Sequence, residues 1–340
     1  MAAPSGGSHR PDRRALSGAG LGVLAAAALW AGGARASEGG ASVYLLGSGG
    51  PEAAVLPPVQ GVFFANTAYY YSGSGGGGKQ FTVGGNLAAG VDASIAADFA
   101  SVAWVPTTNL AGGVLLLGAA LPFGGPDVKA SAVLTGPRGR QFTASTSDST
   151  FVLGDPILTG EWGWTGGKLH VTASALVNIP IGDYHEGQLA NLAFHRWAED
   201  VSLASTWHDA KSGWDVSGKA GFTFNGENPA TDYRTGTEFH LEGAIEKALS
   251  PAFSAGLQAY YFNQVSADSG SGAVLGPFEG RVTGFGGEAA YNFMVGRAPM
   301  TLRLHATTEF DARNRLQGTA VWLDFSIPLA VKLPAGVGGR

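Results

Sequence analysis

The chain has 340 residues, of which 45% are hydrophobic and only 14% charged, with a net charge of -5, 54 glycines and no cysteine. The charged fraction lies well below the ~25% that is usual in soluble domains. The acidic excess argues against a nucleic-acid partner, and the lack of cysteine excludes disulfides and thiolate metal sites. Beyond the amino terminus no apolar run reaches the ~20 residues of a membrane helix, so one large β domain is favoured.

The amino terminus has the pattern of a secretory signal. Arg13 and Arg14 belong to a basic region, Leu21–Trp30 is a short apolar run, and Ala34-Arg35-Ala36 is a small-x-small cleavage pattern. We therefore expect residues 1–36 to be removed on export. An uncleaved membrane anchor is the alternative, although the apolar run is short for a span. Residues 37–60 are then expected to form a periplasmic or lumenal segment.

The rest of the chain reads as strand-like runs of alternating polarity, separated by connections that are in turn short and long. Short turns at one end and long loops at the other are typical of outer-membrane barrels. We expect Gly124–Ser149 to be a long loop, with extensions of the neighbouring strands as the alternative. The barrel is expected over residues 61–329 and a tail over 330–340. The fold predicted is an all-β, single-chain antiparallel transmembrane β-barrel of about 12 strands, with short periplasmic turns and long extracellular loops. The predicted strands are Gly61–Tyr71, Leu87–Val105, Val114–Leu121, Phe151–Trp164, Leu169–Ile179, Arg196–His208, Trp214–Phe224, Arg234–Lys247, Phe253–Val265, Arg281–Val295, Met300–Glu309 and Leu316–Leu329.

The facing of each side chain follows from the alternation. In Phe239–Lys247, Leu241 and Ile245 fall at one parity and Glu242 and Glu246 at the other, so one strand face is apolar and the other acidic. In a membrane barrel the apolar face meets lipid and the acidic face lines the lumen. The candidate lumen residues are Asp92, Asp98, Asp215, Lys219, Glu238, His240, Glu242, Glu246, Tyr260, Phe262, Glu288, Arg303, His305 and Glu309. They line a pore that disfavours anions, or they pair with one another inside a filled lumen.

Two loops contain polar residues that are unusual for a simple connection between strands. Asn225–Arg234 combines turn-forming residues with ionisable ones, and it either folds inward as a gate or is braced locally, for example by Asp232 with Arg234. The end of another long loop is expected to pack against it. The loop or gate candidates are Asn225, Glu227, Asn228, Asp232, Tyr233, Arg234, His195 and Arg196.

Four segments carry a family resemblance. They are Leu121–Asp127, Ile181–Tyr184, Asn191–Trp197 and Phe224–Gly236. These segments resemble outer-membrane proteins known as the MetA-pathway of phenol degradation family, and the likeness extends from about Tyr44 to Leu329. The resemblance implies an outer-membrane barrel, often encoded near genes for the breakdown of aromatic compounds.

These observations predict an outer-membrane channel of a Gram-negative bacterium for passive uptake of small hydrophobic or aromatic compounds. Tyr260 and Phe262 would hold an aromatic ring, or they pack against a plug. The alternative is a plugged structural or surface-interaction barrel without transport. A barrel hydrolase is a distant third, since His170 and Ser174 share a face but lie about 13 Å apart along a strand. We expect no enzyme activity, cofactor, metal or nucleic acid; the partners expected are outer-membrane lipid, lipopolysaccharide and the solute.

Overall fold

The computed structural model describes residues 41–75, 81–83, 86–88, 90–135, 141–273, 279–296 and 298–332. The predicted signal peptide and most of the predicted tail lie outside the described residues. In the part of the chain that is described, no helix is long and apolar enough to cross a membrane.

Twelve antiparallel strands close into a barrel, as the sequence predicts. Each of the twelve pairs with its neighbour in the chain, and the first pairs with the last, which closes the ring. Closure leaves no open sheet edge in the wall. The barrel strands are β1 (Gly61–Gly75), β4 (Gly90–Leu110), β5 (Gly113–Thr135), β8 (Ile157–Gly166), β9 (Leu169–Asn178), β10 (Ala198–Asp209), β11 (Trp214–Asn225), β14 (Glu238–Ala248), β15 (Phe253–Gln264), β16 (Arg281–Val295), β17 (Ala298–Arg313) and β18 (Gln317–Val331).

Additional short strands lie at one end of the barrel. One hairpin is formed by β2 (Phe81–Val83) with β3 (Asn86–Ala88), another by β12 (Glu227–Asn228) with β13 (Tyr233–Arg234). Of the two expectations for Gly124–Ser149, the long loop is wrong and the strand extension is confirmed. Strand β5 continues to Thr135 and pairs with β6 (Gln141–Ser149). Strand β7 (Val152–Leu153) pairs with Phe123 and Gly124, earlier in β5. Alternation continues through Val128 and Ala130, which are buried, and Asp127 and Lys129, which are exposed. This pattern sustains a strand hairpin where the Gly and Pro content suggested a loop.

The outer wall of the barrel is apolar over most of its circumference. Ile245 is 43% exposed and lies opposite Leu257, which is 51% exposed. Their neighbours in sequence, Glu246 and Gln258, are buried inside. A wall that exposes leucine and isoleucine and buries carboxylates suits a barrel whose outside meets hydrocarbon.

The two ends of the barrel differ. Turns such as 111–112, 167–168 and 249–252 join strands at the short-turn end, where Gly61 and Val331 also lie. The connections 179–197 and 226–237 emerge at the opposite, long-loop end. Because β18 runs to Val331, the first two residues of the expected tail belong to the last strand.

Residues 41–60 fill the lumen, and we call this segment the plug. It forms no strand, yet Val43 and Tyr44 are almost completely buried. Tyr44, Leu45 and Leu46 share one apolar cluster with wall residues that include Phe99 and Trp322. The largest apolar core of the described protein is therefore the contact between plug and wall, inside the barrel.

The loop 179–197 folds over the long-loop end. Asp155 holds it by accepting hydrogen bonds from the amides of Gly182, Phe194 and His195. This pulls the side chain of Phe194 into the apolar cluster that contains the plug. The lumen is thus closed by the plug from within and narrowed by a loop from above.

Candidate functional site in the barrel lumen

Twelve of the fourteen predicted lumen residues have side chains buried inside the barrel. The two exceptions are Asp92 and Asp98, for which the prediction is wrong. The inward residues are Asp215, Lys219, Glu238, His240, Glu242, Glu246, Tyr260, Phe262, Glu288, Arg303, His305 and Glu309. Whether these residues tune selectivity stays a prediction; their positions show that most of them bind the plug or one another.

Asp92 and Asp98 lie on the outer face of β4. The buried side of that strand carries Val91, Ile95 and Phe99, which pack in the plug cluster. Because the lumen here is filled with apolar side chains, the usual rule of polar inside and apolar outside is reversed. On the outer wall Asp98 accepts a hydrogen bond from the side-chain amide of Asn66.

An ionic cluster holds the lower part of the plug. Arg303 Nη1 lies 2.7 Å from a carboxylate oxygen of Glu246 and 2.7 Å from one of Glu288. Its Nη2 lies 4.0 Å from Glu52 on the plug, whose amide donates to Asp215 Oδ1 at 3.1 Å. A buried guanidinium needs such partners because desolvation is costly.

Glu52 occupies an unusual position in this cluster. Its backbone has a left-handed φ of 60°, a conformation that few residues other than glycine adopt. Burial raises the pKa of its carboxyl group to about 8, although the attraction of Arg303 opposes the shift. The neutral form of Glu52 is therefore favoured while the plug is seated.

Glu242 anchors the middle of the plug. Its two carboxylate oxygens accept hydrogen bonds from the amide of Gly47 at 2.9 Å and from that of Gly49 at 2.5 Å. A Cβ at Gly49 would lie within 2.5 Å of Glu242 Oε2, and Gly47 has a φ of +93°. Both glycines are thus required by the close approach and the backbone conformation.

Tyr44 fits between a cation and an imidazole. Its ring stacks on His240 at a centroid distance of 3.5 Å, and Lys219 Nζ lies 4.9 Å from the centroid of the same ring. His240 Nε2 in turn lies 3.0 Å from Asp200 Oδ2. Desolvated cation–π contacts contribute about 2 kcal/mol, so this group adds to the hold on the plug.

A second polar cluster, around His305, consists of residues on the barrel strands themselves. The Nε2 of His305 is 2.9 Å from Asp324 Oδ2 and its Nδ1 is 2.8 Å from the amide nitrogen of Gln258. The imidazole also stacks on Trp322 at 4.4 Å between ring centroids. Each predicted inward histidine is therefore held by partners rather than directed into open space.

A cavity of about 50 Å³ lies above the tip of the plug, at the long-loop end. Four tyrosines, several aliphatic side chains and two charged groups surround it. Tyr71 and Tyr260 donate hydrogen bonds to the carboxylate of Glu309, at 2.8 Å and 3.0 Å. The lining residues are Ala41, Ser42, Tyr44, Leu45, Leu46, Tyr69, Tyr71, Ile95, Tyr260, Glu309, Arg315, Leu316 and Ala320.

The two predicted loop segments pack together, as expected. Arg196 Nε donates to Asn225 Oδ1 at 3.2 Å, and Asn228 donates to the hydroxyl of Tyr184. That tyrosine stacks on His195 with 4.8 Å between the ring centroids. The region is therefore an ordered cap on the long-loop end.

The predicted Asp232–Arg234 brace is wrong. Asp232 accepts from Ser271, and Arg234 donates to the carbonyl of Asn225. The brace runs instead through Asp268, which accepts from the Tyr233 hydroxyl and the Gly236 amide. Burial raises the pKa of Asp268, and these hydrogen bonds oppose the shift. Glu227, in β12, is exposed.

The sequence analysis did not predict several residues of the site. The alternation places Asp200 and Tyr71 inward and could have identified them. Tyr69 also lies inside, where its ring packs against Trp322 at 5.2 Å between ring centroids. No sequence pattern marked the plug contacts.

Within the described ranges, no group of three or more His, Asp or Glu side chains is arranged to hold a metal ion.

A closed barrel with an apolar outer wall and a charged, plugged lumen defines a β-barrel of the outer-membrane type. The chain belongs to the family described as "Putative MetA-pathway of phenol degradation", which matches residues 76–325. None of the curated proteins compared matches it.

One solved structure shares the fold, and two others are more distantly similar. The crystal structure of an outer membrane channel from Pseudomonas putida F1 matches with a TM-score of 0.63 at 14% identity, covering 82% of this chain and 98% of that one. A Pseudomonas aeruginosa FadL homologue matches with a TM-score of 0.43 at 10% identity, covering 89% and 98%. The KdgM porin matches with a TM-score of 0.40 at 6% identity, covering 78% and 99%. At these identities only the first likeness bears on the fold, and none bears on the solute.

Proposed function

We propose that this protein is a channel of the bacterial outer membrane for passive uptake of small hydrophobic or aromatic molecules. The observation that carries the proposal is the cavity above the plug, which is lined by tyrosine and aliphatic side chains at the end reached first from outside. Small-molecule sites are usually concave and mostly apolar with a few polar groups. The name of the family, with its reference to phenol degradation, supports an aromatic solute.

Passage through the barrel requires the plug to move. Its amides and side chains bind Glu242, Asp215 and Arg303 on the wall, so the seated plug blocks the lumen. In this proposal a solute first occupies the upper cavity and crosses when the plug shifts aside. Charged side chains line the path that opens, since they occupy the inward faces of β11, β14 and β17.

The filled lumen also favours a second candidate function. A barrel whose plug never leaves would be a structural or surface-interaction protein, with the packed loops 179–197 and 226–237 as its exposed surface. Transport experiments separate the two candidates, because only the channel changes the entry of solutes.

Growth and uptake test the proposal. A strain lacking the gene is expected to grow more slowly than its parent on a dilute aromatic carbon source and equally well on succinate. Uptake of a labelled aromatic solute at limiting concentration should fall in the same strain and recover with the intact gene. Equal uptake by the two strains would reject the channel and leave the structural candidate.

The location has its own test. The mature protein is expected in the outer-membrane fraction, where a closed barrel shows heat-dependent migration on a gel. Recovery in the soluble periplasmic fraction would reject the membrane assignment.

A further inference from the structure

The outer wall of the barrel carries a polar pair among apolar neighbours. Asn66 on β1 and Asp98 on β4 both point outward, and the side-chain amide of Asn66 donates to Asp98 Oδ1. In register, Asn66 lies opposite Phe325 of β18, and Asp98 lies opposite Phe123 of β5. Both phenylalanines are on the outer face as well. The polar pair therefore lies at a level where the strands on either side present aromatic rings to the outside of the barrel.

A carboxylate on this face is unfavourable unless another protein surface covers it. Hydrocarbon offers no hydrogen-bonding partner, and charged side chains that face lipid destabilise a barrel. The bond between Asn66 and Asp98 satisfies only part of the pair. The second N–H of the Asn66 amide and the Oδ2 of Asp98 make no hydrogen bond to any other residue that the structure describes. The pair thus keeps one free donor and one free acceptor.

The surface around the pair allows a second protein wall to approach closely. Ala68 and Ala96 are exposed beside it, and small side chains of this kind let membrane-embedded elements come into contact. Tyr70 lies above the pair and Trp104 below it, and each is 50% exposed. We call the outer face of β1 and β4 between Tyr70 and Trp104 the polar patch.

The polar patch complements a second copy of itself. Copies inserted into one membrane share one orientation, so a two-fold axis between them runs along the membrane normal. Across such an axis, β1 of one copy faces β4 of the other at the same height. Asn66 of each copy then lies opposite Asp98 of the other, so the free donors meet the free acceptors at two equivalent places. A second copy is therefore the partner whose complementarity to the polar patch follows from the structure itself.

We propose that this protein forms a two-fold symmetric dimer in the membrane through the polar patch, with Asn66 of each copy hydrogen-bonded to Asp98 of the other. The dimer covers carboxylates that would otherwise face lipid. It goes beyond the proposed function, because it concerns the outer wall and requires neither a solute nor a movement of the plug.

Crosslinking of the full chain in isolated outer membranes tests the dimer. Because the chain contains no cysteine, an introduced thiol is the only one in the protein. Ala68→Cys, within the polar patch, is expected to give a dimer on treatment with a membrane-permeant bis-maleimide. Ala220→Cys is the matched control and should stay monomeric, because Ala220 lies on the outer face of β11, halfway round the ring from β1. A monomer with Ala68→Cys, a crosslink to a protein of another size, or equal crosslinking at both positions would overturn the inference.

Exchange of the two polar residues provides an independent arm. Asn66→Asp sets carboxylates of the two copies against each other, so the dissociation constant of the dimer in detergent should rise about tenfold or more, as measured by analytical ultracentrifugation. The double variant Asn66→Asp with Asp98→Asn again has one amide and one carboxylate in each copy, and it should dimerise like the parent. Heat-dependent migration on a gel shows which variants have a folded barrel. A folded double variant that dimerises no better than Asn66→Asp would overturn the inference, and the crosslinking result stands without these variants if they fail to fold.

Discussion

Removal of the Glu242 carboxylate is the most direct perturbation of the plug. That group accepts two backbone hydrogen bonds from the plug, from Gly47 and Gly49, and is itself buried in the wall. Glu242→Ala leaves both amides without this acceptor and removes the carboxylate that lies directly opposite Lys219 in register. The expected result is a plug that leaves its seat more often.

The size of the effect follows from the two hydrogen bonds. Hydrogen bonds to charged groups contribute about 1.5–3 kcal/mol each, so the loss of both weakens seating by about 3–6 kcal/mol. Since about 1.4 kcal/mol corresponds to a factor of ten, the unseated population should rise by roughly 10²–10⁴-fold. Glu242→Gln keeps one carbonyl acceptor and should give about half of this free-energy change.

Conductance of the purified protein in planar lipid bilayers measures the change. Open events should be rare in the parent, more frequent in Glu242→Gln and most frequent in Glu242→Ala. Glu199→Ala is the matched control, because Glu199 is exposed on the outer side of β10 and removes the same charge without touching the plug. Conductance of Glu242→Ala equal to that of the control, with the barrel folded, would refute the assignment of Glu242 as the anchor.

Three further predictions concern the wall, pH and processing. Ile245→Arg should destabilise the barrel by about 2–4 kcal/mol near the bilayer midplane, whereas Ile245→Leu and Glu246→Gln should be tolerated; urea unfolding from lipid vesicles checks this, and equal stability of Ile245→Arg would mean that the outer face is misassigned. The pKa of Glu52, about 8 in the seated plug against about 4.3 when exposed, favours seating fully below the lower value, and this contribution is lost as pH rises through the upper one. Open events should therefore increase as pH rises from about 4.3 to about 8, the window between those two values, and Glu52→Gln should flatten the profile; a slope that persists in the variant would assign it to another group, such as His208. Sequencing the amino terminus of the mature protein should show cleavage after Ala36, and a start elsewhere would contradict the signal boundary.

The amino-acid sequence by itself determined the strand number and most of the facing. Alternation is a local property, because consecutive side chains of a strand point to opposite sides. Glu242 and Glu246 could therefore be placed inward and Ile245 outward from nine consecutive residues. The short turns could be found in the same way, from Gly and Pro at the ends of apolar runs.

Only the tertiary structure decided what fills the lumen. The plug meets the wall through contacts such as Gly47 with Glu242, which are 195 residues apart in the chain, and no local pattern records a pairing of that kind. The same cause explains the errors at Asp92 and Asp98: parity sorts side chains into two faces, and the identity of the inner face depends on what packs against it. The cavity also lies beyond local pattern, because Tyr69 and Arg315 come from opposite ends of the chain and meet only where the barrel closes.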